Sequence, residues 1–139
     1  MGGAGAAAVT SPVVAGAVIV RAGRALLIRR ASPAGALLWS FPSGKVEPGE
    51  TAAEAAAREA QEEAGVTVEP LVALGSRIHP ATGWRVVYVA CRLLSGDAHA
   101  ASPREVAEVA WAPVGRLSGY VPGGVYGPVQ EYLDGVLSH

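Results

Sequence analysis

The stretch GKVEPGETAAEAAAREAQEEAGV, residues 44–66, decides how the rest of the chain is read. Thr51 and Glu54 have the spacing of a capping box, in which hydroxyl and carboxylate reciprocally satisfy the amides exposed at a helix start. Alanine, a strong helix former, fills most of the interior. Gly65 stands where a left-handed residue ends a helix. The pattern predicts a helix between Thr51 and Gly65. Arg58 is four residues from both Glu54 and Glu62 and is expected to pair with them.

On a wheel of about 100° per residue with Glu59 at zero, Glu62 falls near −60° and Glu63 near +40°. Three carboxylates thus share one stripe. Unneutralised, they repel one another, and a hard divalent cation such as magnesium relieves that repulsion by binding carboxylate and phosphate oxygens together. A solvated acidic face is the plain alternative. Against it, the stripe continues through the small side chains of Ala52, Ala55 and Ala56. The seam Ala53, Ala57, Ala60 and Ala64 is expected to pack on a sheet. Before the helix, Gly44 and Gly49 flank Lys45-Val46-Glu47-Pro48, a glycine loop of the kind that brings backbone close to phosphate or metal.

Outward from this segment, strands dominate. Val13–Val20 and Ala25–Arg30 read as a hairpin around the turn Arg21-Ala22-Gly23-Arg24. Ser32-Pro33-Ala34-Gly35 is a loop, and Leu37–Phe41 a short strand. Leu71–Ile78 and Arg85–Leu94 read as strands joined by the loop from His79 to Gly83. Val106–Trp111 is another strand, and Pro128–Leu137 a last helix after a glycine-rich stretch, Gly119–Gly124. Hairpin-like strand pairs with few helices indicate an α+β fold with a mixed sheet.

The chain's 139 residues fit one domain, and a hydrophobic content of 50% can supply its core. A net charge of −1 disfavours a nucleic-acid polymer as partner. Cys91 is the one cysteine, so an internal disulfide is excluded and a reducing compartment is suited. Residues 1–11 read as a disordered leader without signal-peptide character, and 12–139 as the domain. The run Val13–Val20 is too short to span a bilayer. A cytoplasmic protein without a membrane partner is the expectation.

Taken together, Gly44, Glu50, Arg58, Glu59, Glu62, Glu63, Gly65 and Val66 resemble the signature of the Nudix hydrolases. That signature is Gly, five residues, Glu, seven residues, Arg-Glu, an aliphatic residue, any residue, Glu-Glu, any residue, Gly and an aliphatic residue. Ala60 departs from it, since a larger aliphatic residue is common there. Ser43 replaces a frequent second glycine. The resemblance implies an α/β/α sandwich over about residues 12–138, with the catalytic helix following the glycine loop. It implies magnesium, with manganese as a second option. Glu59 and Glu63 would be the main ligands, Glu62 a further ligand or an orienter of water, and the Gly44 carbonyl part of the metal shell. Glu50 would support the cluster, and Arg58 would hold the glutamates by ion pairing.

Members often use an acid outside the box. Glu105 and Glu108 are the candidates; Glu108 is preferred as metal ligand, which leaves Glu105 to the substrate. Arg29 and Arg30 end a strand near which relatives bind phosphates, and strand alternation lets at most one of them reach the site. Lys45 and Tyr126 are further candidates for substrate contact. His79, Trp84 and Tyr88 could contact a nucleotide but read first as an exposed loop histidine and sheet residues, and Tyr120 could form part of a pocket wall. Cys91 reads as an inert core residue.

The implied reaction is hydrolysis of a nucleoside diphosphate-linked or triphosphate substrate. A (deoxy)nucleoside triphosphate, cut to monophosphate and pyrophosphate as by MutT-like members, is the first choice. ADP-ribose or a sugar nucleotide is the alternative. The proline that often marks ADP-ribose enzymes fifteen residues beyond the box would fall at Ala81, with Pro80 one position short. The tyrosine of dinucleoside polyphosphate hydrolases is absent from Thr82, Gly83 and Trp84. A non-catalytic nucleotide-binding domain would be expected to have lost box carboxylates, and a prenyl-diphosphate isomerase would need an accessible cysteine. Homodimers are common in the family, so a second copy of the chain is one candidate partner.

Overall fold

The computed structural model describes residues 13–31, 37–80, 82–121 and 125–137. The expected leader, the loop Ser32–Gly35, Ala81 and part of the glycine-rich stretch lie outside these residues. The elements are β1 (Val13–Arg21), β2 (Arg24–Ala31), β3 (Leu37–Ser40), β4 (Ser43–Lys45), α1 (Ala52–Ala64), β5 (Thr67–Ile78), β6 (Arg85–Ser95), β7 (Val106–Pro113), a 3-10 helix (Val114–Gly119) and α2 (Gly127–Leu137).

Among the described residues the strands form one mixed sheet in the order β3-β2-β1-β6-β5, with β4 also on β1 and β7 also on β2. β1 and β6 run parallel from Val13↔Arg85 to Ile19↔Cys91. β1 pairs antiparallel with β4 over Val14–Gly16 and with β2 only at its end. The β1–β2 turn has positive φ at Ala22 (51°) and Gly23 (75°), as a two-residue hairpin loop requires.

Side-chain alternation sorts the sheet into two cores. Ala15, Ala17, Ile19, Leu26 and Ile28 face α1. Val14, Val18, Ala25 and Leu27 face α2 and the 3-10 helix, where Leu117, Val129 and Leu133 are buried. β1 is therefore apolar on both sides, which explains its run from Val13 to Val20 without a polar side chain. The expected α+β arrangement and sandwich are present. β4 and the 3-10 helix are additions to the expected elements. A three-residue strand built of Ser43, Gly44 and Lys45 carries no strand pattern of its own and exists because β1 offers it a partner.

α1 has the expected capping box: the Glu54 amide donates to the Thr51 hydroxyl at 3.0 Å, and the Thr51 amide to Glu54 Oε1 at 2.9 Å. Its packing face departs from expectation. The buried residues are Ala55, Ala56, Glu59, Ala60, Glu63 and Ala64, an arc from about −40° to +140° on the same wheel. Ala53 and Ala57 are only half-buried. The two glutamates sit inside the buried arc because β4 closes over them, adding protein on the side expected to face outward.

Candidate active site

Glu59 and Glu63 are the buried charged side chains among the described residues, 9% and 1% exposed. Both lie under β4. A Cβ on Gly44 would collide with the Glu59 carboxylate, so glycine is needed here for close approach rather than for a turn. The Ser43 amide donates to Glu63 Oε1 at 2.9 Å, and Arg30 Nη2 donates to Glu63 Oε2 at 2.9 Å. Arg30 also donates to the Ser43 carbonyl at 3.2 Å.

Arg58 is the hub of the remaining acids. Its Nε and Nη2 donate to the two oxygens of Glu50 at 2.8 and 2.9 Å, a two-toothed pair. Its Nη1 donates to Glu59 Oε2 at 2.9 Å and to Glu62 Oε1 at 3.2 Å, while Nη2 reaches the Lys45 carbonyl at 3.0 Å. The expected Arg58–Glu54 pair does not form, because the Glu54 carboxylate is engaged by the Thr51 amide. Glu50 and Glu59 take its place.

The electrostatics separate these acids. Hydrogen bonds from Arg58, then the Glu47 amide, pull the Glu50 pKa down to about 2. Hydrogen bonding to Glu50 holds Arg58 above its ordinary range. Burial, then the charge of Glu63, pushes Glu59 up to about 7 against the pull of Arg58. Glu63 is also raised by burial, opposed by Arg30 and the Ser43 amide. Burial thus raises the pKa of both carboxylates, one turn apart, even with two arginines in place.

The four last carbonyls of α1 are all satisfied. The Gly65 amide donates to Gln61 O, the His99 amide to Ala64 O and the Ala101 amide to Glu63 O, and the Ser102 hydroxyl donates to Glu62 O at 2.7 Å. The Ser102 carbonyl in turn accepts from the Glu105 and Val106 amides at 2.9 and 2.8 Å. This loop presents Glu105, whose charge is felt at Glu63. Sequence reading missed Ser43, Ala101 and Ser102, because backbone donors and a loop serine carry no pattern; only the helix rule that four carbonyls need partners pointed to such a loop.

Glu108 does not join the cluster. It faces Arg29 across β2 and β7 and forms an ion pair with it. Arg29 shares a sheet face with Leu27, on the α2 side, and lies 6.0 Å over Trp39. Alternation therefore sends Arg29 and Glu108 away from α1, and Arg30 towards it. Of the two outside acids, Glu108 lies on the face away from α1, while the charge of Glu105 is felt at Glu63.

The Lys45 ammonium is directed over Trp84 at 5.3 Å. The Tyr126 hydroxyl donates to the Ser76 carbonyl at 2.9 Å, and its ring stacks on Tyr88 at 5.5 Å. Burial pushes the Cys91 thiol up to about 11, as for an unreactive core residue.

Among the described residues no group of three or more His, Cys, Asp or Glu side chains stands assembled as a cation site, and arginine nitrogens contact oxygens of Glu59 and Glu63. The donor set is nonetheless one of hard carboxylate and carbonyl oxygens, which fits magnesium or manganese.

The family model described as the NUDIX domain matches residues 10–127. The chain belongs to the Nudix family. It is 40% identical over 103 residues, 67% of its length, to a Mycobacterium tuberculosis (strain CDC 1551 / Oshkosh) protein that carries the name MutT4, and covers 40% of that protein. It is also 40% identical over 67 residues, 48% of its length, to an oxidized purine nucleoside triphosphate hydrolase of Danio rerio, of which it covers 43%. The chain thus spans about two fifths of the length of these curated relatives. The crystal structure of a MutT protein from Methanosarcina mazei Go1 superposes with a TM-score of 0.70 at 27% identity, covering 92% of this chain and 96% of that one. No helix among the described residues is long and apolar enough to cross a membrane.

Proposed function

We propose that this chain hydrolyses a phosphoric anhydride of a nucleotide with magnesium or manganese, cutting a (deoxy)nucleoside triphosphate to monophosphate and pyrophosphate. The observation that carries the reading is the buried pair Glu59 and Glu63, one helical turn apart beneath Gly44, with pKa values raised by burial. Glu59, Glu63 and the Gly44 carbonyl would hold the cation, with Glu105 as the outside acid. When bound, such a cation draws charge from phosphate oxygens and lowers the pKa of a water. Glu62, 54% exposed at the edge of the pair, orients the attacking water. Arg58, fastened to Glu50, keeps Glu59 in place. Arg30, which donates to Glu63, supplies a donor at the cluster for phosphate oxygens. A triphosphate is preferred because the Danio rerio relative is named for one.

The test is Glu63→Gln, which preserves an acceptor for the Ser43 amide. Turnover of nucleoside triphosphates should fall on the order of 10²–10³-fold, the scale for losing one charge-stabilising group, with the circular dichroism spectrum unchanged. Turnover within a few-fold of the unmodified chain refutes the assignment. A magnesium-dependent screen over canonical and oxidised nucleoside triphosphates, ADP-ribose and sugar nucleotides decides the substrate.

A further inference from the structure

Both oxygens of Glu63 are engaged: Oε1 by the Ser43 amide and Oε2 by Arg30, each at 2.9 Å. The carboxylate is 2% exposed, whereas the Arg30 side chain is 33% exposed. A cation at Oε2 would share that oxygen with a guanidinium that already carries positive charge, and the guanidinium has a way out.

The two arginines of the site differ in how firmly they are held. Arg58 keeps both oxygens of Glu50 and the Lys45 carbonyl even if Glu59 turns to another partner. Among the described residues Arg30 has Glu63 and one carbonyl, Ser43 O at 3.2 Å. Displacing Arg30 from Glu63 leaves it, among the described residues, one weak neutral acceptor. Two cations within a few ångströms of one carboxylate also repel each other strongly in a poorly hydrated site. Arg29 cannot substitute, because it is paired with Glu108 on the other face of the sheet.

We propose that Arg30 is an exchangeable counterion for Glu63. A divalent cation displaces its guanidinium from Oε2, and the released guanidinium then binds phosphate oxygens of the nucleotide. Cation and nucleotide binding are thereby coupled through one side chain, beyond whatever direct contact the two ligands make. This rests on the reading of Glu63 as a cation ligand.

The experiment measures Mn²⁺ alone, a methylene-bridged nucleoside triphosphate analogue alone, and both together, by titration calorimetry on the full chain. Arg30→Met is compared with the unmodified chain. Arg30→Gln, which keeps a donor for Glu63, is the second variant in case the first does not fold. The two ligands should change affinity in opposite directions: Mn²⁺ alone binds about threefold or more tighter in the variant, and the analogue binds weaker. The coupling factor should shrink about fivefold or more, within the usual range of coupling between sites. A prop that merely held the fold would weaken both ligands together, and that result overturns the proposal. Unchanged coupling also overturns it while leaving the function reading intact. Failure of the unmodified chain to bind Mn²⁺ with or without analogue overturns both.

Discussion

The two faces of the sheet use the same strands to opposite ends. On the α1 face the helix contributes alanines, so helix and strands approach closely enough for Glu59 to lie against Gly44 and for Glu63 to reach the Ser43 amide. On the α2 face the space is filled by rings: Phe41 meets Tyr88 edge-on at 6.2 Å, Tyr88 stacks on Tyr126, and Trp39 meets Tyr120 at 5.3 Å. Small side chains on one side let charge be buried with partners. Large ones on the other exchange contact area for adaptable surface. The carboxylate face should therefore be intolerant of one added carbon, while the aromatic face should respond only in stability.

Gly44→Ala tests the first half and should have the largest effect. The new methyl displaces the Glu59 carboxylate. A shift of about 1 Å in a catalytic group costs roughly 10²-fold in turnover, and overpacking costs about 1–3 kcal/mol of stability. Steady-state kinetics and urea unfolding check both. Retained turnover would mean that the tight face does not position the chemistry.

Next in size is the pH dependence of stability without metal. Glu59 titrates near 7 in the folded chain against an ordinary 4.5, chiefly because it is buried. Protonation favours the folded state, so this group's contribution weakens as pH rises from about 4.5 to about 7, by up to about 3 kcal/mol. Glu50 acts the other way: held near 2, mainly by Arg58, it contributes stability above 4.5 that is lost as pH falls towards 2. Urea unfolding in chelator at pH 5 and pH 8 should show a decline that Glu59→Gln flattens and added Mn²⁺ reverses. A flat profile in the unmodified chain contradicts the buried-charge account.

The smallest effect belongs to the aromatic face. Tyr126→Phe loses the bond to Ser76 O and should cost about 1 kcal/mol in thermal unfolding. Its Mn²⁺ affinity should match that of the unmodified chain. A parallel loss of Mn²⁺ affinity would show that the two faces are not independent.

Much of this was legible in the residue order. The cap Thr51, the stop Gly65 and the hairpin turn at Ala22-Gly23 follow from local chemistry, and each is where local rules put it. Glu59, Glu62 and Glu63 were legible as a stripe, but which side of it was buried was not. That depends on β4, a strand created by pairing rather than by its own residues. The same limit explains Glu108. Its neighbourhood is set by the register of β7 on β2, which places it opposite Arg29, and one sequence carries no register between distant strands. Arg30 and Arg29 were separable in principle by alternation alone, but not assignable until the faces were known.

The loop from His99 to Ser102 has a consequence for local opening. Helix ends ordinarily fray first, since their last carbonyls find only water. Here those of Glu62, Glu63 and Ala64 are held by residues 99, 101 and 102. The end of α1 cannot unwind without tearing that loop away, so helix end and loop should exchange their amide hydrogens as one cooperative unit. The amides of His99 and Ala101, on a surface loop, would then be protected like those of a core helix.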